Sequence, residues 1–177
     1  MKIVILNGSP RKGNTFAAIE AFVKGINAAN KGHEVEVVDT YKLNVAPCKG
    51  CNACECYKGC IDKDDTNMIV DKLVAADMIV FATPVYWWGI TAQLKMVIDK
   101  CYCKGAFIKN KQVGLIVVGG AATSDGQYDL IKQQFNCIEK YLDWNIVFFN
   151  KFSASKTTDL AANESAMEEM LEVGKNI

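Results

Sequence analysis

Five short apolar runs rich in β-branched residues recur along the chain, each followed by a stretch in which apolar residues step by three and four. That alternation permits few architectures. Strands alternating with helices pair in parallel, because a parallel neighbour is reached through a right-handed helical crossover. Lys2 to Leu6 reads as the first strand and stops at the turn formers Asn7-Gly8-Ser9-Pro10. From Thr15, the residues Phe16, Ile19, Phe22, Val23 and Ile26 make the stripe of an amphipathic helix, with Gly32 expected to close it. Glu34 to Val38, Met78 to Ala82, Val113 to Val118 and Asn145 to Phe149 supply the remaining strands, the fourth as a fully buried central one. Helices are expected near Asn67 to Ala75, over Thr91 to Cys101 with Leu94, Val97 and Ile98 on one face, and from Tyr128 to Leu142; Met167, Met170 and Leu171 mark a last one in the tail from Asn163 to Val173. The pattern predicts an α/β fold: a doubly wound, five-stranded parallel sheet with helices on both faces. No repeat or linker interrupts it, so residues 1–177 are expected to form one domain.

Twenty Lys and Arg balance twenty Asp and Glu, which leaves no basic stripe for nucleic acid or an anionic membrane surface. The partners expected are small molecules or another protein. No apolar run reaches the length of a membrane span, and Met1 to Leu6 is too short for a signal-peptide core, so a cytoplasmic location is expected. Five of the eight cysteines (Cys48, Cys51, Cys54, Cys56 and Cys60) fall within 13 residues. Without a secretion signal, such clustering points to metal binding or redox chemistry rather than a disulfide framework.

Ligands of doubly wound sheets bind beyond the C-terminal ends of the strands. Three unusual loops sit there, Asn7 to Thr15, Thr83 to Ile90 and Gly119 to Gln127, and the cysteine loop leaves the same edge after the second strand. In the first, unpaired N–H groups at the start of a helix favour an anion; Ser9, Asn14 and Thr15 can donate hydrogen bonds, Arg11 and Lys12 add charge, and Gly8 and Gly13 permit tight curvature. Asn14 stands where a nucleoside-triphosphate loop carries lysine, and no G-x-G-x-x-G is present, so a monophosphate is the better guest. Pro84-Val85-Tyr86-Trp87-Trp88-Gly89 places three aromatics in a loop, suited to stacking on a flat ring system or to packing at a core edge or subunit interface. Gly119 and Gly120 let the backbone approach a heterocycle, as they would in a plain connection.

The runs Asn7-Gly8-Ser9-Pro10-Arg11-Lys12-Gly13-Asn14-Thr15 and Thr83-Pro84-Val85-Tyr86-Trp87-Trp88-Gly89-Ile90-Thr91-Ala92-Gln93-Leu94-Lys95 resemble NADPH-dependent FMN reductases of the flavodoxin-like superfamily, over at least Lys2 to Gly126. The resemblance implies strand order 2-1-3-4-5 and FMN as cofactor. Its phosphate would lie on Ser9, Arg11, Lys12, Gly13, Asn14 and Thr15, and its ring against Pro84 through Gly89 and beside Gly119 and Gly120. It also implies NAD(P)H as co-substrate, a quinone, flavin, nitro compound or protein as acceptor, and a homodimer or homotetramer. The sole histidine, His33, precedes the second strand at the far edge, so no histidine chemistry is expected; the reaction belongs to the flavin.

Cys48, Cys51, Cys54 and Cys60, spaced C-x₂-C-x₂-C-x₅-C, resemble the iron-sulfur flavoprotein branch, whose corresponding loop binds a [4Fe-4S] cluster. As chemistry, four thiolates can wrap a cluster or a zinc ion, or remain free thiols; the lack of histidine leans toward iron-sulfur. Cys101, Cys103 and Cys137 are expected to be small apolar fillers. Two further classes stay open, an electron carrier acting between protein partners and a thiol or zinc redox sensor.

Overall fold

The computed structural model describes residues 1–177. The apolar runs become β1 (Lys2–Asn7), β2 (Glu34–Asp39), β3 (Met78–Pro84), β4 (Gln112–Gly119) and β5 (Asn145–Ser153). All pair in parallel, in the order β2-β1-β3-β4-β5, as the family resemblance implied. Between and after them run α1 (Asn14–Ala29), α2 (Thr66–Ala75), α3 (Ala92–Lys100), α4 (Gly126–Leu142) and α5 (Glu164–Lys175). Short 3₁₀ turns at Thr40–Lys42 and Cys101–Lys104, which no sequence pattern announced, bend the chain after β2 and after α3.

Alternation along the central strands splits the core in two. Val4, Leu6, Ile79, Phe81, Leu115 and Val117 face α2, α3 and α4, whereas Ile3, Ile5, Met78, Val80, Ile116 and Val118 face α1 and α5. The outer helix pair is held unusually close. A Cβ on Gly25 of α1 would stand 2.0 Å from the Leu171 carbonyl oxygen, and one on Gly174 of α5 2.1 Å from that of Phe22.

Some boundaries differ from expectation. Asn30, not Gly32, ends α1, taking the left-handed conformation at φ 49°, which asparagine tolerates; Gly32, at φ 71°, then turns the chain into β2. β5 runs on to Ser153 because its ladder with β4 continues through Lys151, Phe152 and Ser153. On an edge strand one side meets solvent, so polar residues do not stop it. His33 lies beside the Met1 ammonium, 3.1 Å from Nδ1, at the edge away from the odd loops. No helix is long and apolar enough to cross a membrane.

Candidate functional site

At the C-terminal edge of the sheet, a cavity of about 280 Å³ opens between the loops after β1, β3 and β4. Ser9, Arg11, Gly13, Asn14 and Thr15 line one side of it, Pro84, Val85 and Tyr86 another, and Gly119 and Gly120 a third. The structure thus gathers most of the residues singled out from sequence. Lys12, Trp87, Trp88 and Gly89 are not among those lining it: Lys12 lies over the Phe16 ring at 5.7 Å, and the other three form a projecting turn. Ala154 and Ser155, just after β5, complete the wall and were missed. The rule that ligands sit beyond strand ends applies to β5 as well and would have found them.

The first loop is built from its own polar groups. Asn7 Oδ1 accepts from the Ser9 N–H at 3.0 Å, and the Asn7 amide donates to Asp39 at 2.9 Å. Burial alone would raise the Asp39 carboxyl, but hydrogen bonds from Lys42 and Asn7 outweigh it and hold the group below the usual carboxylate range. Ser9 Oγ donates to the Arg11 carbonyl at 3.0 Å and so closes the turn. The Asn14 side chain departs from its expected use as a phosphate donor. Its Nδ2 donates to the Lys156 carbonyl at 2.8 Å and its Oδ1 accepts from the Leu160 N–H at 3.0 Å, which ties α1 to the segment after β5. Gly13 caps α1 without a side-chain bond, and the helical ladder begins only at the Ala17 N–H. The amides of Asn14, Thr15 and Phe16 therefore precede it, beside the buried Thr15 hydroxyl that lines the cavity.

A second contact sets the spacing of the loops. The Gly8 carbonyl accepts from Thr91 Oγ1 and Gln93 Nε2, each at 2.9 Å, so the start of α3 is fixed to the end of β1. A Cβ on Gly8 would stand 2.8 Å from Thr91 Oγ1, which is the physical reason for a glycine there. Between β3 and α3, Tyr86 and Gly89 exchange backbone hydrogen bonds of 2.9 and 3.1 Å around Trp87 and Trp88, both left-handed with φ of 48° and 61°. Bulky residues rarely occupy that region. Their rings meet edge to face at 5.3 Å, and Trp87 is 91% exposed, Trp88 56%.

The cysteines make a separate cavity. Cys48, Cys51, Cys54 and Cys60 all line a space of about 390 Å³, closed on its other side by Asp99, Lys100, Tyr102 and Cys103. No three Cys, His, Asp or Glu side chains converge on a single-ion site. The loop leaves β2 at the expected edge, and α3 contributes Asp99 and Lys100, from its C-terminal end, to the lining of its cavity. The two cavities share no lining residue. The neck of the loop is clipped: the Asn44 N–H donates to Asp65 at 2.8 Å and the Ala46 N–H to Asp64 at 2.9 Å. Cys60 is gripped through its main chain by the Asn67 side chain, with both bonds at 2.8 Å.

The remaining thiols divide. Cys101 is buried, and its thiol is pushed up to about 12 by that burial, as a filler's would be. Cys103 is buried and pushed up to about 11, by burial and then by the neighbouring Cys60, but it lines the cysteine cavity and is more than filling. Cys137 is exposed, contrary to expectation. It follows the buried Phe135 by two residues, about 200° round α4, which carries it off the core face.

Comparison with known proteins agrees with this geometry. The family model for NADPH-dependent FMN reductases matches residues 1–155. An iron-sulfur flavoprotein of Methanocaldococcus jannaschii is 36% identical over 139 residues, 77% of this chain and 70% of that protein. Another, from Methanosarcina thermophila, is 38% identical over 124 residues, 68% of this chain and 64% of its own length, so this chain spans about two thirds of these relatives. Among solved structures, an NAD(P)H:quinone oxidoreductase from Methanothermobacter marburgensis superposes with a TM-score of 0.76 at 18% identity, covering 99% of this chain and 98% of the other. A flavodoxin from the domain Archaea superposes with 0.61 at 16% identity, covering 100% and 96%. The loops, the strand order and the matched sequence together make this chain a member of the NADPH-dependent FMN reductase family, an oxidoreductase of flavodoxin-like fold with iron-sulfur flavoproteins among its relatives.

Proposed function

We propose that this chain binds FMN in the cavity beyond β1, β3 and β4 and moves electrons from NAD(P)H to a separate acceptor, using a [4Fe-4S] cluster held by Cys48, Cys51, Cys54 and Cys60. The observation that carries the reading is the cavity itself. It brings the open first turn of α1, the Thr15 hydroxyl and Arg11 together with the apolar wall of Pro84, Val85 and Tyr86 and the small residues Gly119 and Gly120. The donors suit one phosphate dianion and the apolar wall suits a ring. Thr15 and the α1 amides would bind the phosphate, Ser9 would hold the loop in shape, and Tyr86 and the glycines would orient the ring. Bound FMN supplies the chemistry, taking an electron pair from a reduced nicotinamide and releasing it in single steps. No protein acid or base is needed.

The cysteine cavity fits a cluster by its donor set. Five thiols, those of Cys48, Cys51, Cys54, Cys60 and Cys103, and no imidazole line one space, and they stand around it rather than closing on one point, which suits a bulky cluster better than a zinc ion. A cluster there would supply one-electron transfer. Its exposed ligands Cys48 and Cys51 favour a second reading, a carrier module that hands electrons to a protein partner. Iron-sulfur flavoproteins among the relatives support the cluster in either case.

The test is anaerobic purification followed by flavin release, iron and sulfide analysis, and steady-state NAD(P)H oxidation with and without an added quinone. FMN, stoichiometric iron and quinone-dependent turnover are expected. FAD or no flavin would remove the reading, and absence of flavin would favour a thiol sensor. Flavin without iron would leave a plain FMN reductase, and flavin and iron without quinone turnover would favour the carrier. We also propose a homo-oligomer, a dimer or tetramer, on the exposed Trp87-Trp88 turn and the apolar residues Leu130 and Tyr141 exposed along α4.

A further inference from the structure

The wall of the cysteine cavity that faces the loop carries a buried cation. Lys100, the last residue of α3, is 2% exposed. Its Nζ donates to Asp62 Oδ2 at 2.6 Å and lies 3.4 Å from Cys60 Sγ, within hydrogen-bond reach of sulfur. Asp62 does not cancel this charge alone, because its other oxygen accepts from Lys49 Nζ at 3.0 Å. Lys49 and Lys100 thus share Asp62, with the Asp64 carboxylate also acting on Lys100, and of the two ammonium groups the buried one is turned toward sulfur. A buried ammonium is costly unless every one of its donors meets a good acceptor. A neutral thiol is a weak acceptor and offsets little of that cost, whereas a thiolate bound in an anionic cluster would offset it.

The sulfur is not free to move away. Asn67 brackets Cys60 by accepting from its N–H and donating to its carbonyl, and the preceding Gly59, left-handed at φ 89°, donates its N–H to the Cys103 carbonyl at 3.1 Å. A Cβ on Gly59 would stand 2.7 Å from Asn67 Oδ1, so even the glycine is required for the bracket. Cys60 is therefore presented to Lys100 by three elements: α2, the loop and the 3₁₀ turn after α3.

We infer that Lys100 is a positioning residue for the cluster proposed above, holding Cys60 Sγ and raising the cluster's reduction potential by favouring the more negative, reduced form. The inference rests on the cluster reading. One electron enters, from reduced flavin in turnover or from dithionite in an assay; the assembly gains one negative charge, and Lys100 keeps its proton throughout. Charge and hydrogen bonds at the ligating sulfurs are established levers on such potentials.

The experiment uses the full chain, reconstituted anaerobically with iron, sulfide and FMN, as wild type and as Lys100→Met, Lys100→Arg and Asp62→Asn. Iron and sulfide are counted first, and the cluster midpoint is then read by dye-mediated titration followed by electron paramagnetic resonance. Lys100→Met is expected to shift the cluster couple at least tenfold toward the oxidised form, about 59 mV more negative for one electron. Lys100→Arg should stay near wild type. Asp62→Asn should move the midpoint the other way, since it removes the negative charge that shares the ammonium. The flavin midpoint should hold in all three variants, because Lys100 lies at the end of α3 remote from the Gly8 contact. A Met variant that keeps FMN but loads no iron, beside an Arg variant that loads normally, supports the role through the charge. Equal midpoints in Met and wild type, or equal effects of Met and Arg, overturn the inference and make Lys100 a packing residue. A wild type that takes up no iron overturns the cluster reading itself, and this inference with it.

Discussion

Asn14 and Thr15 are neighbours with opposite duties. Both were legible as polar residues in an anion-binding loop, but the Asn14 side chain spends both its arms on backbone atoms of Lys156 and Leu160, partners more than 140 residues away that no local pattern reveals. Thr15 keeps its hydroxyl on the cavity. Thr15→Ala should therefore weaken FMN binding by roughly 1.5–3 kcal/mol, the range for a hydrogen bond to a charged group, as read by flavin fluorescence titration. Asn14→Ala should instead loosen the segment after β5, seen as faster proteolysis near Lys156. Unchanged flavin affinity in the Thr15 variant would mean that the phosphate lies elsewhere. The Trp87-Trp88 turn shows the limit differently: three aromatics in sequence announce a purpose, but only backbone geometry separates Tyr86 on the cavity from Trp87 in solvent.

The elements were readable because a period of two and a period of 3.6 are hard to confuse in runs as apolar as Val113 to Val118 or as striped as Thr15 to Ile26. Their ends were less so, since β5 is prolonged by its neighbour's ladder and α1 is stopped by an asparagine. The close contact of α1 and α5 was not legible: nothing near Gly25 or Gly174 foretells that the two helices touch through their backbones. Gly174→Ala gains up to about 1 kcal/mol of helix propensity but drives a methyl to 2.1 Å from the Phe22 carbonyl oxygen. Overpacking of this kind costs about 1–3 kcal/mol, so the midpoint of thermal unfolding should fall; an unchanged or higher midpoint would show that the helices part freely. At the start of α2, burial raises the Asp64 carboxyl, but hydrogen bonds from Thr66 and Ala46 outweigh it and hold the group below its ordinary value. A lowered folded value stabilises above the unfolded value, about 3.9, and that stabilisation is lost as pH falls through the folded one. The difference in thermal stability between wild type and Asp64→Asn should thus shrink from pH 6 to pH 3. A constant difference would place the effect in packing rather than charge.

At the scale of the molecule, Trp87 and Trp88 on the aromatic turn and Leu130 and Tyr141 on α4 stand exposed. Light scattering at micromolar concentration should find at least a dimer. Trp87→Ser with Trp88→Ser should shift it toward monomer, and a wild-type monomer with flavin bound would remove the proposed interface. The clipped neck of the cysteine loop has a consequence of its own. Because Asn44 and Ala46 meet Asp64 and Asp65 directly, the chain between them begins and ends at nearly the same place, and the sheet on either side closes whether that stretch is long or short. Closing a loop costs little more when the loop is longer. Such a segment behaves as an interchangeable cassette: a few glycines and serines in place of residues 47–63 should leave a yellow, folded reductase domain without its five clustered thiols, and a different cassette could be seated on the same clasp.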